Sequence, residues 1–308
     1  MTDKEFQVYL AQLRAGFRKS CTITEERPIN YGYLFKVVSE GKQGSLAVYN
    51  GKKGLNHVWN GSQDLGAALG SLWLQEAAKS SGSGASGFAS EAGFKGCWAG
   101  SDESGKGDFF GPLVVAAVVV DEATVAKLAI AGVKDCKLLT DRQILALEEK
   151  IKAAVVDFSV LELKPHIYNM RYKQVVAEGG KLNQLLGYGH VAALTQVLQR
   201  QSQCRQGLID QFTTSNINLR QLKEKFPEGR FMQMPKAESD LAVAAASVLA
   251  RARFLRSMEE LAQRAGLREL PKGGGDATTA CARAIAEKMG KAALGNFVKL
   301  HFANYGRI

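Results

Sequence analysis

The chain has 308 residues, enough for two domains, and 46% of them are hydrophobic, which supports packed interiors and argues against wholesale disorder. Lysine and arginine number 40 against 30 aspartates and glutamates, and the resulting net charge of +10 favours polyanionic partners, although a solvated basic surface would give the same total. The five cysteines are scattered without a C-x-x-C pair, which argues against a disulfide framework or a structural zinc site; no apolar run has the ~20 residues of a membrane span, and the start MTDKEFQVYL lacks the apolar core of a secretory signal, so a reduced cytoplasm is expected.

Along the chain, Phe6, Leu10, Leu13 and Phe17 recur at helical spacing and predict an N-terminal helix. Two strand-like runs follow, Gly32–Val38 and Ser45–Tyr49, the second ending in the hairpin dipeptide Asn50-Gly51. Asp64 is placed to cap a helix through Leu65, Leu69, Leu72 and Leu74. Together these predict a compact α+β module over residues 1–78. The Gly/Ser-rich stretch Lys79–Gly87 predicts a flexible linker, residues 79–93.

From 94 to 308, strands and helices alternate. A strand near Cys97–Ser101 meets a glycine-rich turn and the apolar, β-branched strand Leu113–Val120. Helices are expected over Asp141–Ala153 and Asn183–Gln201, short strands at Gly207–Ile209 and Arg230–Met232, and a long alanine-rich helix from about Ser239. That order predicts an α/β domain built on one mixed sheet. Residues 1–93 hold 10 basic and 8 acidic residues, so an excess of +8 falls on this second domain.

Its most informative segment is Gly100–Pro112, which sets Asp102-Glu103 at a strand end, ahead of a glycine turn and a buried strand. Neighbours on a strand point to opposite faces, so one acid would face a cleft while the other bends towards the same place from the strand end. Gly105 and Gly107 let backbone amides approach a nucleic-acid strand, and Lys106 supplies charge to a phosphate. In Gln206–Phe212 the apolar pair Leu208-Ile209 runs into Asp210, an acid that is costly to bury unless paired or capped. Glu238 sits just before or within the first turn of the alanine-rich helix, where Asp240 is the better candidate for ordinary dipole complementation. Taken singly, each acid has a structural explanation. Together, at strand ends and a helix start, they form the donor set that two divalent cations about 3.5–4 Å apart need. His57, His166, His190 and His301 are dispersed and disfavour zinc.

These residues resemble the type 2 ribonuclease H family, and within it ribonuclease HIII. The likeness runs through Gly100–Pro112, Gly132–Lys137, Leu163–Pro165, Asn183–Leu186 with Gly189-His190, Leu208–Phe212, Lys236–Ser239 with Ala244–Ala250, and Leu270–Gly273 with Lys299–Phe302. The resemblance implies a ribonuclease H-like α/β catalytic domain over 94–308, preceded by a small α+β TATA-binding-protein-like domain that holds substrate. It implies Asp102, Glu103, Asp210 and Glu238 as catalytic, metal-binding carboxylates, with glutamate at 238 marking the HIII type where ribonuclease HII has aspartate. It also implies that Gly105, Lys106 and Gly107 read the 2′-hydroxyl that separates RNA from DNA. Lys137 and Lys236 are expected phosphate contacts. Tyr33, Phe35 and Tyr49 are expected to divide between core packing and nucleic acid. Two positions depart from the common pattern: Cys136 stands where serine is usual, and Ser104-Gly-Lys-Gly replaces Val-Gly-Thr-Gly. An exposed thiol at 136 would react.

The expected activity is endonucleolytic hydrolysis of the RNA strand of RNA/DNA hybrids with Mg²⁺ or Mn²⁺, two ions per site, leaving 5′-phosphate and 3′-hydroxyl ends. The alternatives are ribonuclease HII-like excision of single embedded ribonucleotides and non-catalytic hybrid binding. The expected partner is the hybrid duplex, with no membrane, no obligate protein partner, and a monomeric, cytoplasmic enzyme.

Overall fold

A capping box, with Thr2 Oγ1 bonded to the Glu5 backbone and the Glu5 side chain returning to Thr2, starts the helix that the apolar spacing predicts, α1 (Asp3–Ser20). The computed structural model describes residues 2–51, 54–70, 72 and 92–308, which divide into one unit of residues 1–89 with 122–132 and a second of 90–121 with 133–308.

In the first unit α1 is followed by an antiparallel meander, β1 (Thr22–Ile29), β2 (Gly32–Ser39), β3 (Lys42–Gly51) and β4 (Gly54–Gly61), and by α2 (Gln63–Leu69). Phe6, Leu10, Leu13 and Phe17 of α1 bury against Phe35, Val37, Leu46 and Val48 from one face of the sheet. Tyr33 packs at the edge of this cluster with Phe35, whereas Tyr49 alternates away from Leu46 and Val48 onto the other face. The α+β reading holds, with two strands added. β1 and β4 are polar sequences, one containing Pro28, and lack the apolar alternation that marks a strand. The Asn50-Gly51 turn is corrected: both residues stay in the ladder, opposite Leu55 and Gly54, and are not the turn residues. Ser62, whose Oγ accepts from Leu65 N, caps α2 in place of Asp64. Leu74 and most of the predicted linker lie outside the described residues.

The second unit is built on a five-stranded sheet of order β7-β6-β5-β8-β9. Its elements in chain order begin with β5 (Cys97–Ser104) and β6 (Leu113–Asp121), the latter leading into α3 (Glu122–Ile130) of the first unit. After α4 (Asp141–Ala154) come β7 (Asp157–Leu163), α5 (Pro165–Ala177), α6 (Leu182–Arg200) and β8 (Gln206–Asp210). Then come α7 (Ile217–Lys225), β9 (Arg230–Met234), α8 (Leu241–Ala265), α9 (Asp276–Met289) and α10 (Ala303–Gly306). β5, β6 and β7 pair antiparallel, while β8 and β9 run parallel to β5, which makes the sheet mixed as expected. Leu113–Val120 is buried throughout, as an apolar run covered on both faces must be.

Alternation on β5 decides what each face meets. A Cβ at Gly100 would lie 2.3 Å from Val243 N, so β5 touches the alanine-rich α8 backbone to backbone there. Ser101 turns the other way, to His190 of α6. A Cβ at Gly189 would meet Val115 at 2.8 Å, which shows how closely α6 approaches β6.

Candidate active site

The period of the strand places Asp102 on the α8 face of β5, with Gly100, and Glu103 on the α6 face, with Ser101. Asp102 is buried, and its Oδ1 accepts from Glu103 N at 2.8 Å. Burial first, then the neighbouring charges of Glu103 and Asp210, raise its carboxyl well above the ordinary range. Glu103 behaves oppositely. Burial pushes it up, but the His190 hydrogen bond and the charges of His190 and Lys106 outweigh that and hold it low.

Asp210 ends β8, the parallel neighbour of β5. Its Oδ1 accepts from Ala237 N at 3.0 Å, which ties β8 to a short 3₁₀ turn, Ala237–Ser239. Burial and the charge of Glu238 raise the Asp210 carboxyl. Glu238 lies on that turn, ahead of α8. Asp240 takes the capping role, accepting from Ala242 N at 2.9 Å and from Trp98 Nε1 at 3.1 Å. The turn also explains Lys236: it enters at φ 58°, in the left-handed region, and its carbonyl accepts from Ser239 Oγ.

Two lysines serve these acids. Lys106 Nζ lies 3.6 Å from Glu103 Oε1, and Lys137 Nζ lies 3.7 Å from Glu238 Oε1. Beside them is a cavity of about 440 Å³ lined by Glu103, Gly105, Lys106, Gly107, Lys137 and Arg251, among others. Gly105 is required where it stands: φ is +87°, and a Cβ would lie 2.2 Å from Pro112 O. At Gly107 a Cβ would meet open space. The thiol of Cys136 is half-buried and burial raises its pKa, which makes it less reactive than an exposed thiol would be.

The residues suit hard cations. All the acids offer oxygen, the donor such ions prefer, and Glu238 Oε2 is buried with no hydrogen-bond partner among the described residues. Asp102 and Asp210, whose pKa values burial and neighbouring acids raise, are costly to keep ionised without a compensating charge. Among the described residues no three acids, histidines or cysteines form a ready-made cation cage. Lys106 and Lys137 stand against Glu103 and Glu238, and an incoming cation would displace them.

A profile of the family described as Ribonuclease HII matches residues 99–305. The chain belongs to the ribonuclease HII family. The ribonuclease HIII type is what its relatives and a solved structure point to. Ribonuclease HIII of Protochlamydia amoebophila is 38% identical over 203 residues, covering 66% of this chain and 65% of the relative. Ribonuclease HIII of Bacillus cereus strain AH187 is 40% identical over 210 residues, covering 67% and 66%. The matched region thus spans about two thirds of each curated relative. The crystal structure of Bst-RNase HIII in complex with Mn²⁺ is 31% identical, covers 98% of this chain and 95% of its own, and superposes with a TM-score of 0.64. Aquifex aeolicus RNase H3, 23% identical with a TM-score of 0.55, shares the fold. The stretch matched by the ribonuclease HII profile contains all four acids, and His190, Asp141 and Arg251 besides. Among the described residues no helix is long and apolar enough to cross a membrane.

His190, fully buried between Ser101 and Glu103, is the site residue that reasoning on spacing passes over. Its signal is present in Gly187-Tyr-Gly-His190: glycines inside a helix mark close approach to a neighbour, and a polar residue carried into that contact needs a partner.

Proposed function

We propose that the chain is an endoribonuclease that hydrolyses the RNA strand of RNA/DNA hybrids with the aid of divalent cations. The ions would be Mg²⁺ or Mn²⁺, two per site, and the products 5′-phosphate and 3′-hydroxyl ends. One observation carries the reading: Asp102, Glu103, Asp210 and Glu238 stand at adjoining strand ends and a turn, close enough to shift one another's charge, with Glu238 Oε2 buried and unpartnered among the described residues. A pure nucleic-acid binder has no use for such a concentration of negative charge. The family and the Mn²⁺ complex of Bst-RNase HIII support it.

In this reading the acids hold the cations, which when bound supply charge to the phosphodiester and an acidified water. The chain contributes the rest. Asp102 and Asp210, on parallel neighbouring strands, fix the separation of the donor groups. The Gly105–Gly107 backbone borders the cavity where a ribose 2′-hydroxyl would be read. Lys106 and Lys137, released from Glu103 and Glu238, would meet phosphates. Lys236, on the turn with Glu238, would add a further phosphate contact. The sheet face bearing Tyr49 would grip the hybrid, and the enzyme would act as a cytoplasmic monomer.

The test compares the protein with its Asp102→Asn variant on end-labelled substrates in Mg²⁺ or Mn²⁺. Cutting of a continuous RNA strand in a hybrid, lost in the variant, supports the proposal. Cutting confined to a duplex with a single ribonucleotide would shift it to HII-like excision. Tight hybrid binding without cleavage would make the protein a binder.

A further inference from the structure

We propose that His190 is the positioning residue of the carboxylate site, holding Glu103 Oε2 so that Oε1 is the oxygen offered to a cation. The inference rests on the reading of Glu103 as a cation ligand. His190 has no exposed surface, so it touches neither substrate nor solvent. Its role must act through what it holds.

Both ring nitrogens are engaged. Nε2 lies 3.1 Å from Glu103 Oε2, and Nδ1 lies 2.7 Å from Ser101 Oγ, which is itself 2.8 Å from Ala116 O. A carboxylate can only accept, so Nε2 carries the hydrogen towards Glu103, and Ser101 meets the opposite edge. The imidazole is also held flat. Phe212 stacks on it at 4.9 Å between ring centres with 11° between planes, and Lys106 Nζ lies 5.8 Å over the other ring in that stack, Phe212. The backbone contributes too, because Gly189 lets α6 close on Val115.

The consequence is a division of labour on one carboxylate. Oε2 belongs to His190, while Oε1 faces Lys106 Nζ at 3.6 Å, beyond hydrogen-bond distance. A cation can replace the lysine at Oε1 without disturbing Oε2. Ser101 and His190 therefore stand behind Glu103, in an arrangement in which a histidine and a carboxylate fix each other's orientation.

Gln and Asn separate this role from mere filling of space. A glutamine amide nitrogen reaches the place of Nε2 and can still donate to Glu103; an asparagine amide reaches only the place of Nδ1. Mn²⁺ affinity of the full chain would be measured by titration calorimetry and by the spin resonance of free Mn²⁺, alongside thermal unfolding and hybrid cleavage. His190→Asn is expected to weaken Mn²⁺ binding about 10- to 100-fold, with His190→Gln restoring most of it. Equal losses in the two variants, or affinity unchanged in His190→Asn, would overturn the positioning role. If His190→Asn does not fold, Ser101→Ala, which deletes one hydroxyl, is expected to weaken Mn²⁺ binding several-fold, and unchanged affinity there overturns the proposal. Wild-type protein that neither binds Mn²⁺ nor cuts hybrid would instead sink the functional reading, and this inference with it.

Discussion

Asp210 Oδ1 accepts the backbone N–H of Ala237 at 3.0 Å, so the last residue of β8 fixes the turn whose next residue is Glu238. Acids 28 positions apart are thus tied together through one backbone amide, beside the β8–β9 ladder that pairs Asp210 with Met234. The same geometry makes Asp210 expensive, because burial and Glu238 raise its carboxyl above 3.8. The sign follows: an acid whose folded pKa is raised costs stability as pH climbs from its unfolded pKa through the folded value.

Asp210→Asn is therefore expected to keep the Ala237 bond, through its amide oxygen, and to lose the charge penalty. In cation-free buffer at pH 7 its melting temperature should equal or exceed that of wild type, while hybrid cleavage falls at least ~100-fold. Saturating Mn²⁺ should stabilise wild type by about 2.7 kcal/mol at a hundredfold excess over Kd, and leave the variant almost unmoved. Scanning calorimetry with and without Mn²⁺ decides it; a variant that melts lower without metal contradicts the account.

Much of this site is legible in the sequence because each acid directly follows or precedes a strong pattern. Leu208-Ile209 announces Asp210, and the alanine run announces the turn holding Glu238. The unbroken apolar run of β6 could only be a strand buried on both faces. Legibility fails where polar sequence adopts regular structure through its neighbours. Thr22–Ile29 becomes a strand because β2 offers it a ladder, and nothing in its own alternation says so. It fails again for long-range pairs such as His190 with Glu103, since the partner is chosen by how closely α6 meets the sheet, not by anything local.

The glycine loop is braced from the far end of the chain. Lys299 is fully buried, its Nζ donates at 2.8 Å to both Asp108 O and Gly111 O, and Asp108 Oδ1 accepts from Gly273 N at 2.7 Å. Lys299→Met leaves two carbonyls unpaired and should destabilise by roughly 2–4 kcal/mol at pH 7. Burial lowers the Lys299 pKa to about 7, so the unfolded chain binds more protons between 7 and 10.5, and wild-type stability gains from this group as pH rises through that window. Denaturant melts at pH 7 and pH 9 should therefore show the gap between wild type and Lys299→Met widening. A constant gap would mean that the lysine is not titrating in place.

In the first unit, His57 Nε2 lies 2.6 Å from Tyr9 Oη, and burial lowers its pKa from 6.5 to about 4. A histidine with a depressed folded pKa contributes full stability above 6.5 and loses it as pH falls towards 4, because the unfolded chain takes the proton first. The loss is at most about 3.5 kcal/mol, at roughly 1.4 kcal/mol per pH unit over the 2.5 units between 6.5 and 4. Acid melts of wild type and His57→Gln should converge as pH falls from 6.5 to 4, followed by the fluorescence of Trp59, which packs on the same core. Parallel curves would remove His57 from the account.

Lys137 has two possible partners, and salt separates them. It is 70% exposed and stands 3.7 Å from Glu238 Oε1, so as an ion pair it contributes little to stability. Its value would come on meeting a phosphate, where each contact neutralised releases counterions and steepens the dependence of log Kd on log salt by about 0.9. In an Asp102→Asn background, to prevent cutting, Lys137→Ala should weaken hybrid binding uniformly across sequences and lower that slope by about one, with melting temperature unchanged. Fluorescence anisotropy at several KCl concentrations measures both. A weaker Kd with an unaltered slope would place Lys137 beside Glu238 in the bound state as well, acting on the carboxylate and never on the nucleic acid.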